Sequence, residues 1–145
     1  METWSFYSAG IRIAREAVDA SGCEAYVAAD IGPLGRLLKP VGDLEFEDAV
    51  ALFREVIEAS READLLLFET FTDLYELKAA LLAAREVCAL PIVAMTTFDE
   101  SGRMLTGADV LSAVTVAESL GAEAVGFNCG LGPEQMLALL PELRA

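Results

Sequence analysis

Residues 65–95 open on Leu65-Leu66-Leu67-Phe68-Glu69-Thr70, continue through a stripe of Leu74, Leu77, Leu81 and Ala84, and close on Pro91-Ile92-Val93-Ala94-Met95. A short apolar run of this kind, ended by polar residues, reads as a buried strand. The stripe recurs at three- and four-residue steps, which gives a helix one apolar face. Asp73 stands where an N-cap belongs, and Glu76 three residues on has capping-box spacing. The whole stretch therefore reads as strand, helix, strand, and a helical crossover of this kind joins parallel strands.

The same alternation extends in both directions. Upstream, Ile11, Ala14 and Val18 predict a helix over residues 8–20, and Tyr26-Val27-Ala28-Ala29 a strand ending at Asp30. The glycine-rich Ile31-Gly32-Pro33-Leu34-Gly35 cannot continue either element. Asp43 reads as the N-cap of a helix carrying Phe46, Val50, Phe53 and Ile57 on one face. Downstream, a polar loop over 96–107 precedes a helix marked by Val110, Ala113, Val114 and Ala117 and stopped by Gly121. Ala124-Val125-Gly126-Phe127 is the fourth strand, ending at Asn128-Cys129-Gly130. Pro133 suits the first position of a last helix bearing Met136, Leu137 and Leu140. Four strand–helix units with continuously apolar strands predict an α/β chain whose parallel sheet is covered on both faces. An open doubly wound sheet and a (β/α)8 TIM barrel both fit. A complete barrel takes roughly 250 residues, and four units are half of one. No linker composition divides the chain, so residues 1–145 read as a single domain.

Composition narrows the function. The chain has 145 residues, of which 54% are hydrophobic, and its mean hydropathy is +0.44, which excludes a disordered tail. No window approaches the roughly 18 uninterrupted apolar residues of a membrane span. The 24 acidic residues against 10 Lys and Arg leave a formal charge of −14. That balance argues against nucleic acid and against an anionic membrane surface, both of which are held by clustered cations. The start, Met1-Glu2-Thr3-Trp4, lacks the basic and apolar regions of a secretory signal. Three cysteines with no Cys-x-x-Cys pair indicate a reducing cytoplasm. There is no histidine. The chain therefore lacks the commonest general base and zinc ligand, and its chemistry falls to carboxylates, hydroxyls, backbone groups and a thiolate.

In both architectures ligands bind beyond the carboxyl ends of the strands. That rule selects Asp30, Glu69 with Thr70, Thr96 with Thr97, and Asn128 with Cys129. Glu69 follows four apolar residues and starts nearly buried, where an unpaired carboxylate is costly. It reads as a group that holds a substrate ammonium or exchanges a proton, against the plainer role of a polar strand end. Asp30 has the same two readings, with a simple turn at Gly32-Pro33 beside it. The glycines spell neither a dinucleotide fingerprint nor a phosphate loop. Asp99-Glu100-Ser101-Gly102 reads as a solvated turn and Arg103 as a surface ion pair. Cys88 reads as a small hydrophobe. Cys129 differs, because it sits at a strand end just before a helix N-terminus, which favours thiolate, a nucleophile and a soft metal ligand.

The segments Asp30-Ile31-Gly32-Pro33-Leu34-Gly35, Phe68-Glu69-Thr70-Phe71-Thr72-Asp73, Leu77-Lys78-Ala79-Ala80 and Ala83-Ala84-Arg85-Glu86-Val87 carry a resemblance. Met95-Thr96-Thr97-Phe98-Asp99-Glu100-Ser101-Gly102-Arg103, Leu105-Thr106-Gly107 and Asn128-Cys129-Gly130-Leu131-Gly132-Pro133-Glu134 extend it. In this order they resemble the zinc-dependent homocysteine S-methyltransferase family, in particular the homocysteine module of cobalamin-dependent methionine synthases. The resemblance implies a (β/α)8 barrel whose rim holds zinc through three cysteine thiolates. Zinc keeps the homocysteine sulfur ionised for attack on a methyl donor, giving methionine. Cys129 matches the first zinc ligand, and Glu69 matches the carboxylate that meets the substrate amino group. Asp30 lies in a family motif, and Asn128 adjoins the metal ligand as a further substrate-binding candidate. A branch that uses methylcobalamin implies folate- and cobalamin-binding modules as partners.

The chain also departs from that pattern. The family's two other zinc ligands are adjacent cysteines in a Gly-Gly-Cys-Cys-Gly type loop, and no such pair occurs here. The family's Asp-Gly-rich first strand is absent as well. The expectation is a barrel piece truncated at both ends, spanning about the third to sixth units, inactive in isolation and prone to self-associate. Two rivals remain: a metal-independent acid–base barrel enzyme using Asp30 and Glu69, and a non-catalytic truncated scaffold.

Overall fold

The structure, a computed structural model, describes the backbone of residues 3–143 and the side chains of residues 5–143. Met1 and Glu2, on which the reading of the chain's start partly rests, lie outside the described residues, as do the last two positions of the 1–145 domain.

Helix α1 (Thr3–Ser21) leads into β1 (Ala28–Ile31), α2 (Phe46–Ala59), β2 (Leu65–Phe71), α3 (Leu74–Val87), β3 (Ile92–Thr96), α4 (Val110–Ser119), β4 (Ala124–Phe127) and α5 (Pro133–Leu143). The strands form one parallel sheet in the order β1-β2-β3-β4. A doubly wound sheet reverses its strand order partway. The unbroken parallel order seen here describes an arc of a barrel.

Helices cover one face of that arc. Ile31, Leu66, Phe68, Ile92 and Ala94 point into a core with Phe53 and Ile57 of α2 and Leu77 and Leu81 of α3. Phe71 lies between the layers, its ring centroid 5.9 Å from that of Phe53 and 6.1 Å from that of Phe68. A smaller cluster of Phe98, Met104, Val110, Ala113 and Leu139 seals the β3–α4 loop against α5. The opposite face corrects the expectation of a sheet covered on both sides. There Ala28 and Asp30 are exposed, and Leu65, Leu67, Glu69, Val93 and Met95 are half-buried. The apolar strands fit a surface that faces the interior of a barrel.

The two ends of the sheet are built differently. At the amino ends, Asp64 accepts the Val27 amide at 2.6 Å and donates its own to Val27 O, while the Arg15 guanidinium grips the carboxylate through two nitrogens. One crossover pair further on, Glu123 accepts the Ile92 amide at 2.6 Å and returns its amide to Ile92 O. Each acidic residue thus closes the start of a neighbouring strand. The carboxyl ends are left for loops.

Several boundaries differ from the sequence reading. Helix α1 begins before residue 8. The N-cap of α2 is Glu45, and Asp43 instead pairs with Arg36 at 2.9 Å. Asp73 caps α3 by accepting the Tyr75 amide, but Glu76 closes no capping box, because its Oε1 accepts the Leu34 amide at 2.7 Å. Leu137 is exposed, and Leu139 fills the buried position of α5. Among the described residues, no helix is long and apolar enough to cross a membrane.

Candidate functional site

Strand β2 does not end at Phe68. It runs on to Phe71 through an irregularity, with Phe68 opposite Ala94 and Phe71 opposite Thr96. One extra residue on β2 makes this a β-bulge, which re-aims side chains at a sheet rim. The bulge lets Phe68 and Phe71 both face the helices, while Glu69 falls on the open face with Leu67. Thr70 absorbs the bulge at φ 64. A β-branched residue is rare in that region and costs roughly 1–3 kcal/mol there.

The end of β4 faces this bulge across β3. Asn128 follows Phe127, and its backbone is fixed to β3 by its amide on Thr96 O at 3.1 Å and by the Thr97 hydroxyl on its carbonyl at 3.0 Å. Its carboxamide then spans to β2. Oδ1 accepts the Thr70 amide at 3.1 Å, while Nδ2 donates to Thr70 Oγ1 at 2.9 Å and to Glu69 Oε2 at 3.3 Å. The same nitrogen lies 3.7 Å from Cys129 Sγ, and Thr70 Oγ1 lies 3.8 Å from that sulfur. Glu69, Thr70, Asn128 and Cys129 therefore form one polar cluster, with a carboxylate at one side and an exposed thiol at the other.

Cys129 also has a left-handed backbone, at φ 58, and Gly130 follows at φ 70. A Cβ on Gly130 would come within 2.8 Å of Phe98 O, so the turn passes too close to the β3–α4 loop for any side chain. Helix α5 starts directly after it, and Gln135 Oε1 accepts the Gly132 amide at 2.8 Å in a box-type cap.

Asp30 lies on the same open face, two residues out of line with Glu69, since its register partner is Leu67. None of the cluster's hydrogen bonds reaches it. Its neighbour is Tyr7 of α1, whose phenol is pushed above its usual range by burial and then by the Asp30 carboxylate. The two carboxylates thus share the face but not the cluster. Next to Asp30, Glu76 holds the glycine-rich loop through the Leu34 amide; its carboxyl is raised by burial, opposed by that amide and aided by Asp73. Sequence spacing could not reveal this contact, since it joins positions on different elements. Asp99 closes its predicted turn on Ser101 and Arg103, and Arg103 pairs with Asp109.

A zinc centre needs three or four protein ligands close together. Cys129 is at the carboxyl rim, whereas Cys23 precedes β1 and Cys88 caps α3 before β3, both at the opposite end of the parallel sheet. Among the described residues no group of three or more Cys, Asp or Glu is arranged to hold a metal. The residues present do not fit a zinc site.

The profile of the family described as Homocysteine S-methyltransferase matches residues 2–145. The methionine synthase of Mycobacterium tuberculosis (strain ATCC 25618 / H37Rv) is 34% identical over 137 residues, which take in 88% of this chain and 11% of that protein. The methionine synthase of Mycobacterium leprae (strain TN) is 32% identical over 118 residues, 77% of this chain and 10% of that protein. The chain thus spans about a tenth of the length of these relatives. Two solved structures of the homocysteine methyltransferase MmuM from Escherichia coli share its fold at 22% identity. The apo form superposes with a TM-score of 0.83 over 99% of this chain and 56% of that one. The metallated form gives 0.82 over 97% and 54%.

Proposed function

The chain belongs to the homocysteine S-methyltransferase family, and on that footing we propose that it contributes the homocysteine-binding rim of a methyltransferase that makes methionine. The observation that carries this reading is the Asn128 carboxamide, which ties the Glu69 carboxylate and the Cys129 thiol into one cluster on the open face. An amino acid bearing a thiol offers two groups to such a rim. Its ammonium would sit against Glu69 in a charge-assisted hydrogen bond, and its sulfur would lie toward Cys129. Asn128 would orient both protein groups, and Asp30 would stand further along the same face as a second carboxylate for the substrate. The reaction itself is a displacement in which the homocysteine sulfur, having given up its proton, bonds to the donor's methyl carbon as the bond from that carbon to the donor breaks and the demethylated donor leaves.

Cys129 is assigned as one sulfur ligand of a zinc site whose other ligands are not among these residues. Methylcobalamin is the donor we assign, carried with folate- and cobalamin-binding modules of a larger enzyme; the small share of the methionine synthases that this chain spans supports that reading. The compartment we assign is the cytoplasm, supported by three free cysteines. The isolated chain should be inactive and should self-associate through its open sheet.

The experiment is a zinc titration of the purified 145-residue chain with a competing chelator. We expect no stoichiometric binding at submicromolar affinity, and Cys129→Ser should change nothing in that assay. Tight one-to-one binding abolished by Cys129→Ser would overturn the assignment of a single sulfur ligand.

A further inference from the structure

We propose that Thr70 is a positioning residue for the Cys129 thiol, and that its side chain, held by Asn128, sets where that sulfur points on the rim. The inference rests on the reading of Cys129 as a working thiol and extends it to a residue which that reading leaves idle.

The Asn128 Nδ2 group can only donate, so at 2.9 Å from Thr70 Oγ1 it makes that hydroxyl the acceptor. The hydroxyl proton is then directed away from Asn128, and the sulfur lies 3.8 Å from that oxygen, where either atom can donate to the other. Nδ2 lies 3.7 Å from the same sulfur, but its two hydrogens are taken by Thr70 Oγ1 and Glu69 Oε2. The hydroxyl of Thr70 is therefore the polar contact of Sγ, and it is anchored. Asn128 Oδ1 takes the Thr70 amide at 3.1 Å, so backbone and side chain of Thr70 are clamped by one carboxamide.

The backbone adds an independent point. Thr70 occupies a left-handed bulge position at φ 64, which glycine would fill at no steric cost. Backbone geometry alone gives no reason for a threonine there. A hydroxyl facing the thiol gives one, and serine would keep it.

The test uses the full chain with Thr70→Ser, Thr70→Val and Thr70→Gly, without metal or substrate. Hα–Hβ couplings of Cys129 in solution report whether its side chain holds one rotamer, and the thermal midpoint reports stability. We expect one rotamer in the parent chain and in Thr70→Ser. Averaged couplings should appear in Thr70→Val and Thr70→Gly. In Thr70→Gly the thermal midpoint should stay level or rise, so that thiol order and stability move apart. A single Cys129 rotamer persisting in Thr70→Gly overturns the proposal, as does failure of Thr70→Ser to hold it. If Thr70→Val does not fold, the glycine and serine variants still decide the matter. Because the couplings are read with no homocysteine present, failure here leaves the homocysteine reading standing. Loss of any homocysteine response with the rotamer intact would remove that reading alone.

Discussion

At the scale of single residues, the rim is held by side chains whose partners lie on other elements. Glu76 is the clearest case. It is 3% exposed, and its carboxyl is raised by burial. A raised carboxyl binds its proton more readily in the folded chain than in the unfolded one. Stability therefore falls as pH rises from the ordinary glutamate range through the folded value, and the cost of burying the charge is fully present above it. Glu76→Gln keeps the shape and an oxygen for the Leu34 amide. We expect this variant to melt higher than the parent chain at neutral pH, with the difference vanishing below the ordinary glutamate range. Thermal melts across pH 3–8 check this, and a variant that melts lower at neutral pH would contradict it. The rim positions of Glu69 and Asn128 were legible in the sequence because each directly follows an apolar run, and Cys129 is the next residue after Asn128. The bond from Glu76 to Leu34 was not, since hydrogen bonds between elements leave no periodicity.

At the scale of elements, apolar spacing was read correctly where burial sets the pattern and misread where a polar residue had two possible jobs. Strand β4 and the start of α5 fall where Phe127 and Pro133 predict them. Asp43 looked like a cap by residue type but sits ahead of the helix and pairs with Arg36. Strand β2 seemed to stop at Glu69 because a bulge breaks the alternation that spacing arguments use. The bulge works only if Phe71 can lie in the helix layer against Phe53, and both are fully buried. Phe53→Ala should cost roughly 3–5 kcal/mol, as for other large-to-small core changes. Chemical denaturation checks this, and a loss under about 1 kcal/mol would show that α2 does not hold β2 in place.

For the whole molecule, sequential strand order and one covered face make the sheet an arc. Four strand–helix repeats made a parallel α/β sheet legible, whereas the choice of a barrel over an open doubly wound sheet rested on the family resemblance. The bare face was not, because a strand that lines a barrel interior and one packed under helices are equally apolar. Both outer strands leave backbone donors and acceptors open, an arrangement that favours pairing with another chain. Light scattering over a concentration series should therefore show association, and a clean monomer at the highest concentration would contradict it. The net charge of −14 opposes close approach of two copies, so added salt should strengthen association.

The central claim is that homocysteine meets the chain at the Glu69–Asn128–Cys129 rim. The direct measurement is a titration of the isotope-labelled chain with L-homocysteine, followed by amide chemical shifts. We expect shifts at Glu69, Thr70, Asn128 and Cys129 that disappear in Glu69→Gln. Unmoved rim amides, or shifts confined to residues away from this rim, would contradict it.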